Sequence, residues 1–354
     1  MTSPPIRVLI VDDSALVREL LTGIFASDPG FEVVGTAPDP IIAREKIKQL
    51  NPDVLTLDVE MPRMNGIDFL ERLMRLRPMP VVMISTRTVD GADTTLRALE
   101  LGAVDFVAKP TQNLTQSLNG LSSEILLKVR TAARAHLRGA TRAQRPGNGT
   151  PPVLAADRRV IGIGASTGGV EAIGSLLSGL PGAAPAIVVV QHMPQLFTGR
   201  FAQRLDERSP LQVVEGSDGM AVEAGTVIIA PGGRHCTVIG HEGALTLKIE
   251  DGAPESGHMP SVDVLFRSLA AFGRHAAGVL LTGMGRDGAI GLLEMRRGGA
   301  LTIAQDEATS VVYGMPRAAV ELGAALLELP LSRIGMAMLQ AEVSDRTHPY
   351  AEGK

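Results

Sequence analysis

Short apolar runs and helix-length amphipathic stretches alternate along this chain in two series, with a break between them. In the first series the apolar runs fall at 6–11, 31–37, 53–58, 80–85 and 104–108. Segments between them, such as 14–27 and 66–77, carry apolar residues at three- and four-residue spacing, the period of a helix with one buried face. Five β-then-α units of this kind predict a parallel sheet with helices on both sides, a doubly wound α/β domain.

Residues 139–157 (GATRAQRPGNGTPPVLAAD) hold three Gly, three Pro and no apolar period, which is linker chemistry. A chain of 354 residues is long for one domain. The expected layout is therefore a first domain over 5–125, a helix end and linker over 126–157, and a second domain over 158–347. In the second series, buried strands are expected at 159–164, 186–191, 226–230, 278–282 and 300–304, with helices at 168–178, 195–207 and 287–297. Short strands and turns between 227 and 249 predict an antiparallel hairpin set into a second doubly wound, mostly parallel α/β domain.

Bulk properties narrow the partners. A net charge of −4 offers no basic surface for nucleic acid. With no Trp and 3% aromatics, the cores should be aliphatic. The single cysteine, Cys236, rules out an internal disulfide and fits a reducing compartment. The amino-terminal residues lack a signal-peptide pattern, and no apolar run approaches the roughly 18–20 residues that span a bilayer. A cytoplasmic protein without direct membrane insertion is expected.

Ligands of doubly wound sheets bind beyond the carboxyl ends of the strands. Asp12 and Asp13 follow the first apolar run, Asp58 ends the third, Ser85 ends the fourth and Lys109 follows the fifth. Clustered carboxylates repel one another, and a hard divalent cation such as Mg²⁺ relieves the repulsion while contacting a phosphate. A carboxylate can attack phosphorus to form an acyl phosphate. Asp58 is the expected acceptor, Asp12, Asp13 and Asp58 the Mg²⁺ ligands, and Lys109 and Ser85 the groups that bind phosphoryl oxygens.

The second domain opens with Gly164-Ala165-Ser166-Thr167-Gly168, a G-x-S-x-G elbow that exposes a serine hydroxyl between strand and helix. The Thr167 N–H is a natural oxyanion donor there. His192 follows the run AIVVVQ and is placed to act as base, with Asp287, after GVLLTG, to orient it. The chain order Ser, His, Asp differs from that of α/β-hydrolases, so that fold is not expected. Three other readings compete. GIGASTGG resembles a dinucleotide loop, but position 167 is threonine where a third glycine is needed, and no acidic residue follows at the required distance. His235, Cys236, His241 and His258 lack metal-ligand spacing. His258 with Asp263 is an alternative base and orienter.

VDDSALVREL, LDVEMPRMNG, VVMIST and VDFVAKP, in this order over about 5–125, resemble the response-regulator receiver family. IGASTGGVEAI, VVVQHMP, APGGRH, PSVDVLFRSLA, LTGMGRDGA and AQDEATSVVYGMPRAAVELGA, over about 159–345, resemble the catalytic domain of the chemotaxis methylesterase (CheB) family. The resemblance implies a flavodoxin-like (βα)5 receiver, phosphorylated on Asp58 with Mg²⁺ bound, in which Phe106 reorients. It implies Ser166 as nucleophile, His192 as base, Asp287 as its orienter, and Thr167 and the Met284 backbone as oxyanion or supporting groups, with no cofactor in the catalytic domain. The implied activity is hydrolysis of glutamate methyl esters, and deamidation of glutamines, on methyl-accepting chemotaxis receptors. A chemotaxis histidine kinase is the implied phosphodonor, and a monomer is expected. The unphosphorylated receiver should cover the approach to Ser166.

Overall fold

The computed structural model describes residues 4–61, 65–86, 89–109, 121–135, 159–241 and 244–340, so the expected linker at 139–157 lies outside the described residues. The first sheet is built from β1 (Ile6–Val11), β2 (Phe31–Ala37), β3 (Val54–Asp58), β4 (Val81–Thr86) and β5 (Asp105–Lys109). All its pairings are parallel, in the order β2-β1-β3-β4-β5. That order is flavodoxin-like and places a switch point between β1 and β3, where the chain has wound first to one side and then to the other. Helices α1 (Ala15–Ala26), α2 (Pro40–Leu50), α3 (Gly66–Leu76), α4 (Val89–Glu100) and α5 (Ser122–Ala132) cover the two faces.

Local chemistry starts these helices where the strands end. Ser14, Asp39 and Asn65 each accept a hydrogen bond from a backbone N–H of the first turn of α1, α2 and α3, satisfying donors that the helix itself cannot. Gly66 opens α3 against the end of β3, where a β-carbon would sit 2.1 Å from the Asp58 carbonyl oxygen. Only glycine lets that helix start so close to Asp58.

The second sheet contains β6 (Val160–Ala165), β7 (Ala186–Gln191), β8 (Gln212–Glu215), β9 (Thr226–Ile229), β12 (Ala276–Leu280), β13 (Leu301–Gln305) and β14 (Leu327–Leu329). Among the described residues it is seven-stranded and parallel throughout, in the order β14-β13-β12-β6-β7-β9-β8. Its switch point is at β6, which has β7 on one side and β12, far later in the chain, on the other. The hairpin is present as β10 (His235–His241) paired antiparallel with β11 (Ala244–Glu250), a separate two-stranded sheet. The helices are α6 (Gly169–Ser178), α7 (Gln195–Asp206), α8 (Val262–Ala270), α9 (Ala289–Arg297), α10 (Met315–Glu321) and α11 (Leu331–Leu339). Gly162 and Gly164 let α8 settle onto β6, since β-carbons there would meet Leu269 at 2.5 Å and Val262 at 2.3 Å.

Most expected elements lie within a residue or two of their observed bounds. The run expected as a strand at 278–282 is shifted, because β12 ends at Leu280. Beyond it, side chains take over from the ladder: Thr282 N donates to Gln305 Oε1 at 2.8 Å, and Thr282 Oγ1 to the Thr167 carbonyl at 3.0 Å. The helix expected from 287 begins at Ala289, after Gly288 in left-handed backbone (φ 88°), which leaves Asp287 in the loop.

The two domains share one apolar cluster. Leu96, Leu99, Ala103, Phe106 and Ala108 of the first pack in it with Val170, Ile173 and Phe197 of the second. The face that the first domain presents is made by α4, β5 and α5.

Candidate functional site

At the carboxyl edge of the first sheet, the ligand oxygens of Asp12, Asp13 and Asp58 lie within 4.8 Å of one another. The register explains the meeting: Val11 pairs with Leu57, so the next residues, Asp12 and Asp58, leave neighbouring strands side by side. Lys109, at the end of β5, sets its Nζ 2.7 Å from Asp12 Oδ2 and 3.0 Å from Asp58 Oδ2. Burial pushes the Asp58 carboxyl up to about 6; Lys109 pulls it down and Asp12 adds to the rise. Lys109 pays a burial penalty too, yet the two carboxylates hold it protonated and raise its pKa. One ammonium therefore under-neutralises the group, and a hard-oxygen donor set with one exposed member, Asp13, fits a divalent cation such as Mg²⁺. Ser85 takes its expected place in β4, pairing with Ala108; its side chain lies outside what the structure describes.

At the carboxyl edge of the second sheet, Ser166, His192 and Asp287 come together at the switch point. Ala165 pairs with Gln191, and His192 N donates to the Ala165 carbonyl at 3.0 Å, so Ser166 and His192 emerge from adjacent strands. Three contacts fix the serine backbone: Ser166 N donates to the Thr282 carbonyl at 3.1 Å, while Gly169 N at 2.8 Å and Gln191 Nε2 at 2.9 Å donate to the Ser166 carbonyl. His192 Nε2 lies 2.8 Å from Asp287 Oδ2. A carboxylate only accepts, so Nε2 carries the hydrogen and Nδ1 is the acceptor nitrogen of the neutral ring. Among the described residues Nδ1 is buried without a partner, and the N–H groups of Thr167 and Met284 donate to no backbone carbonyl.

Asp287 is held by a helix start. Ser261 Oγ donates to its Oδ1 at 2.7 Å, Val262 N to Oδ2 at 2.8 Å and Asp263 N to Oδ1 at 3.1 Å, all at the amino end of α8. Burial alone would raise this carboxyl; the His192 and α8 hydrogen bonds overcome it and bring the group down to about 2. The alternative pair of His258 and Asp263 is not assembled, because Asp263 Oδ1 accepts from Gly291 N at 2.7 Å. His258 instead stacks on His192, with centroids 3.7 Å apart. The His/Cys metal alternative fails as well. Both nitrogens of His235 serve backbone groups of Ala253 and Ser261, and Cys236 is buried with its thiol pushed up to about 12.

A cavity of 770 Å³ opens over the serine. Its walls come from both domains: Ser166, His192, His258 and Met284 on one side, Asp105 and Lys128 on the other. The first domain reaches the serine's neighbour directly, for Thr167 Oγ1 donates to Asp105 Oδ2 at 2.5 Å with both residues buried. Thr131 Oγ1 approaches Met284 Sδ at 2.9 Å. Phe106 packs on Phe197 at 4.6 Å, and Arg204 forks onto Glu100 at 2.7 and 3.1 Å. Asp105, Gln191 and the Ser261 cradle are site residues that the sequence alone does not single out. Only Ser261 carried a local signal, as a serine directly before an apolar helix.

The two sheets, with an acidic cluster at one switch point and a serine elbow at the other, define a flavodoxin-like receiver joined to a second doubly wound α/β domain that carries a serine site. Residues 8–119 match the family model described as response regulator receiver domain, and 161–338 match that of the CheB methylesterase. The chain belongs to the CheB methylesterase family. It is 52% identical, over 97% of its length and 99% of the relative's, to a protein-glutamate methylesterase/protein-glutamine glutaminase of Xanthomonas campestris pv. campestris. A Bordetella avium protein of the same description is 55% identical over 97% of this chain and 99% of its own. The crystal structure of the Thermotoga maritima CheB methylesterase catalytic domain superposes with a TM-score of 0.50 and 36% identity, covering 51% of this chain and 97% of that one.

Proposed function

We propose that this chain is a phosphorylation-activated serine hydrolase that demethylates glutamate methyl esters, and deamidates glutamines, on methyl-accepting chemotaxis receptors. The observation that carries the reading is the His192–Asp287 pair beside Ser166, with Nδ1 left free. In the proposed reaction Ser166 Oγ attacks the γ-carbonyl carbon as its proton passes to His192 Nδ1. Negative charge gathers on the carbonyl oxygen, where the N–H groups of Thr167 and Met284 are the available donors. The imidazolium returns the proton to the leaving methoxide or amide nitrogen, freeing methanol or ammonia and leaving an acyl-serine. Water, deprotonated by the same nitrogen, then releases the glutamate carboxylate and restores Ser166. Ester and amide share this path and differ only in the leaving group.

In this reading 5–125 is the regulatory domain, 126–157 the end of its last helix and the linker, and 158–347 the catalytic domain. Asp58 is the phosphate acceptor and a chemotaxis histidine kinase the donor. Asp12, Asp13 and Asp58 would hold Mg²⁺, which when bound offsets the charge on the incoming phosphoryl group. Lys109 and Ser85 bind phosphoryl oxygens. The docked receiver obstructs the cavity over Ser166, and phosphorylation shifts the population toward an undocked, active form. The protein acts as a cytoplasmic monomer. No described helix is long and apolar enough to cross a membrane.

The test is methanol release from methylated receptor, with and without Mg²⁺ and a small acyl-phosphate donor. Wild type should be stimulated by the donor, Ser166→Ala should release nothing, and Asp58→Asn should keep its basal rate without stimulation. Undiminished release from Ser166→Ala would refute the nucleophile assignment.

A further inference from the structure

His258 has no task in the mechanism above, yet its ring lies over that of His192 with planes 8° from parallel. The backbone that presents it is built for that place. Ser256 (φ 53°) and Gly257 (φ 81°) both adopt left-handed backbone, the conformation of a tight two-residue reversal. Glu255 and His258 exchange hydrogen bonds of 3.0 and 2.9 Å across it. Left-handed backbone at a serine is a strained state that persists where the surroundings impose it. Gly233 N then pins the loop by donating to the Met259 carbonyl at 3.0 Å. The next residues, Ser261 to Asp263, are those that wrap Asp287. One segment, 255–263, thus grips the orienting carboxylate and covers one face of the imidazole.

The geometry limits what His258 can do. Ring nitrogens donate and accept in the ring plane, so two parallel stacked imidazoles cannot pass a proton face to face, and a relay is excluded. A neutral aromatic face can fix the plane of its neighbour and attract it once it becomes a cation. Burial, then the His192 ring and the Lys128 ammonium, set against the attraction of Asp287, bring the His258 imidazole down to about 4. The plate is therefore uncharged at neutral pH. In the proposed reaction His192 takes the serine proton and is cationic in the transition state. A contact that strengthens only then raises kcat without tightening substrate binding.

We propose that His258 is a positioning residue for His192: a flat, neutral plate that holds the imidazole with Nδ1 toward Ser166 and stabilises the imidazolium as it forms. The proposal rests on Ser166 and His192 being nucleophile and base. The test uses the full chain with Mg²⁺ and acyl-phosphate donor, and two readouts. One is the rate at which a fluorophosphonate probe labels Ser166, which needs no knowledge of the natural substrate. The other is kcat and KM for methanol release. His258→Ala and His258→Leu should slow labelling and kcat about tenfold with KM within about twofold, and His258→Phe should come back to within about threefold of wild type.

Leucine keeps the bulk and phenylalanine the plate, so their comparison decides the matter even if the alanine variant unfolds. Ala and Leu variants as fast as wild type would overturn the proposal. So would a Phe variant as slow as Ala, since a ring nitrogen would then be what matters, or a loss confined to KM, which marks a substrate contact. Wild type that labels at Ser166 but releases no methanol would refute the substrate and leave His258 judged by labelling. Wild type that does not label at Ser166 would overturn both.

Discussion

Replacing Asp105 by alanine should release the receiver from the catalytic domain, and the structure sets the size of the effect. Thr167 Oγ1 donates to Asp105 Oδ2 at 2.5 Å across the domain boundary, with the residues 6% and 9% exposed. A hydrogen bond to a buried charged acceptor contributes about 1.5–3 kcal/mol. Asp105 also pairs with Lys128 at 3.2 Å and accepts from Phe106 N at 2.7 Å. Both of those contacts lie within the receiver, so their loss weighs on docked and undocked forms alike and cancels. Loss of the Thr167 contact falls on the docked form alone, because in the undocked form water replaces the carboxylate. At about 1.4 kcal/mol per tenfold, the undocked population should rise roughly 10- to 100-fold. Methanol release without donor should rise in proportion, up to the rate of the fully undocked form, and donor-stimulated release should move by less than about twofold. A basal rate within about twofold of wild type, in a variant that unfolds at the wild-type temperature and still accepts phosphate, would refute a closing role for this bond. Equal increases in basal and stimulated rates would place the effect in the chemistry instead.

Arg204→Ala removes a fork onto Glu100 in which both side chains are about a quarter exposed, so its effect on basal release should be smaller, about two- to fivefold. Chelating divalent cations should abolish donor stimulation and leave basal release intact; an equal fall in both would mean that the catalytic domain itself uses a metal. Asp287→Asn should lower kcat by about three to four orders of magnitude, because an amide no longer fixes the imidazole tautomer. The same carboxylate has a folded pKa lowered to about 2. The unfolded chain therefore holds more protons between about pH 4 and pH 2, and stability from this group is full above that window and lost as pH falls through it. In acid denaturation the gap between wild type and Asp287→Asn should be constant above about pH 4 and close toward pH 2.

Both sheets could be read from the chain because their central strands are largely buried on both faces and therefore mostly apolar, as IRVLIV and AIVVVQ are apart from Arg7 and Gln191. The site residues that stand at strand ends could be read for the same reason: Asp12, Asp58, Lys109, Ser166 and His192 each follow or close such a run. What could not be read was set by contacts distant in sequence. Asp105 lies 62 positions from Thr167, and nothing around VDFVAKP marks it as facing another domain. β8 and β14 are edge strands of four and three residues, too short to show a period. The strand expected at 278–282 runs two residues past the end of β12 because LLT continues an apolar run, whereas the Thr282 N–H and hydroxyl turn to the Gln305 side chain and the Thr167 carbonyl. In the sequence His258 is legible only as a histidine near the chemistry with Asp263 as a candidate partner; its stacking on His192 depends on the two-residue reversal before it, a conformation that the letters do not display.

Strand β5 gives the proposed regulation a short mechanical path. Lys109 at its carboxyl end grips Asp12 and Asp58. At its amino end Asp105 holds Thr167 and Phe106 lies against Phe197. The two grips are four residues apart, about 13 Å of extended chain. A phosphoryl group on Asp58 would draw on Lys109, whose ammonium the two carboxylates share, and so act on the strand that also carries the interface. Proximity alone does not produce coupling: the phosphoryl group shifts docking only as far as it interacts better with one position of β5 than with the other. Hence a Lys109→Arg chain, which keeps the charge but changes its reach and hydrogen-bond geometry, should still accept phosphate on Asp58 yet gain less stimulation from it. If phosphorylation and stimulation instead fell together, Lys109 would be acting on phosphate acceptance alone, and the link between the sites would have to run through another element.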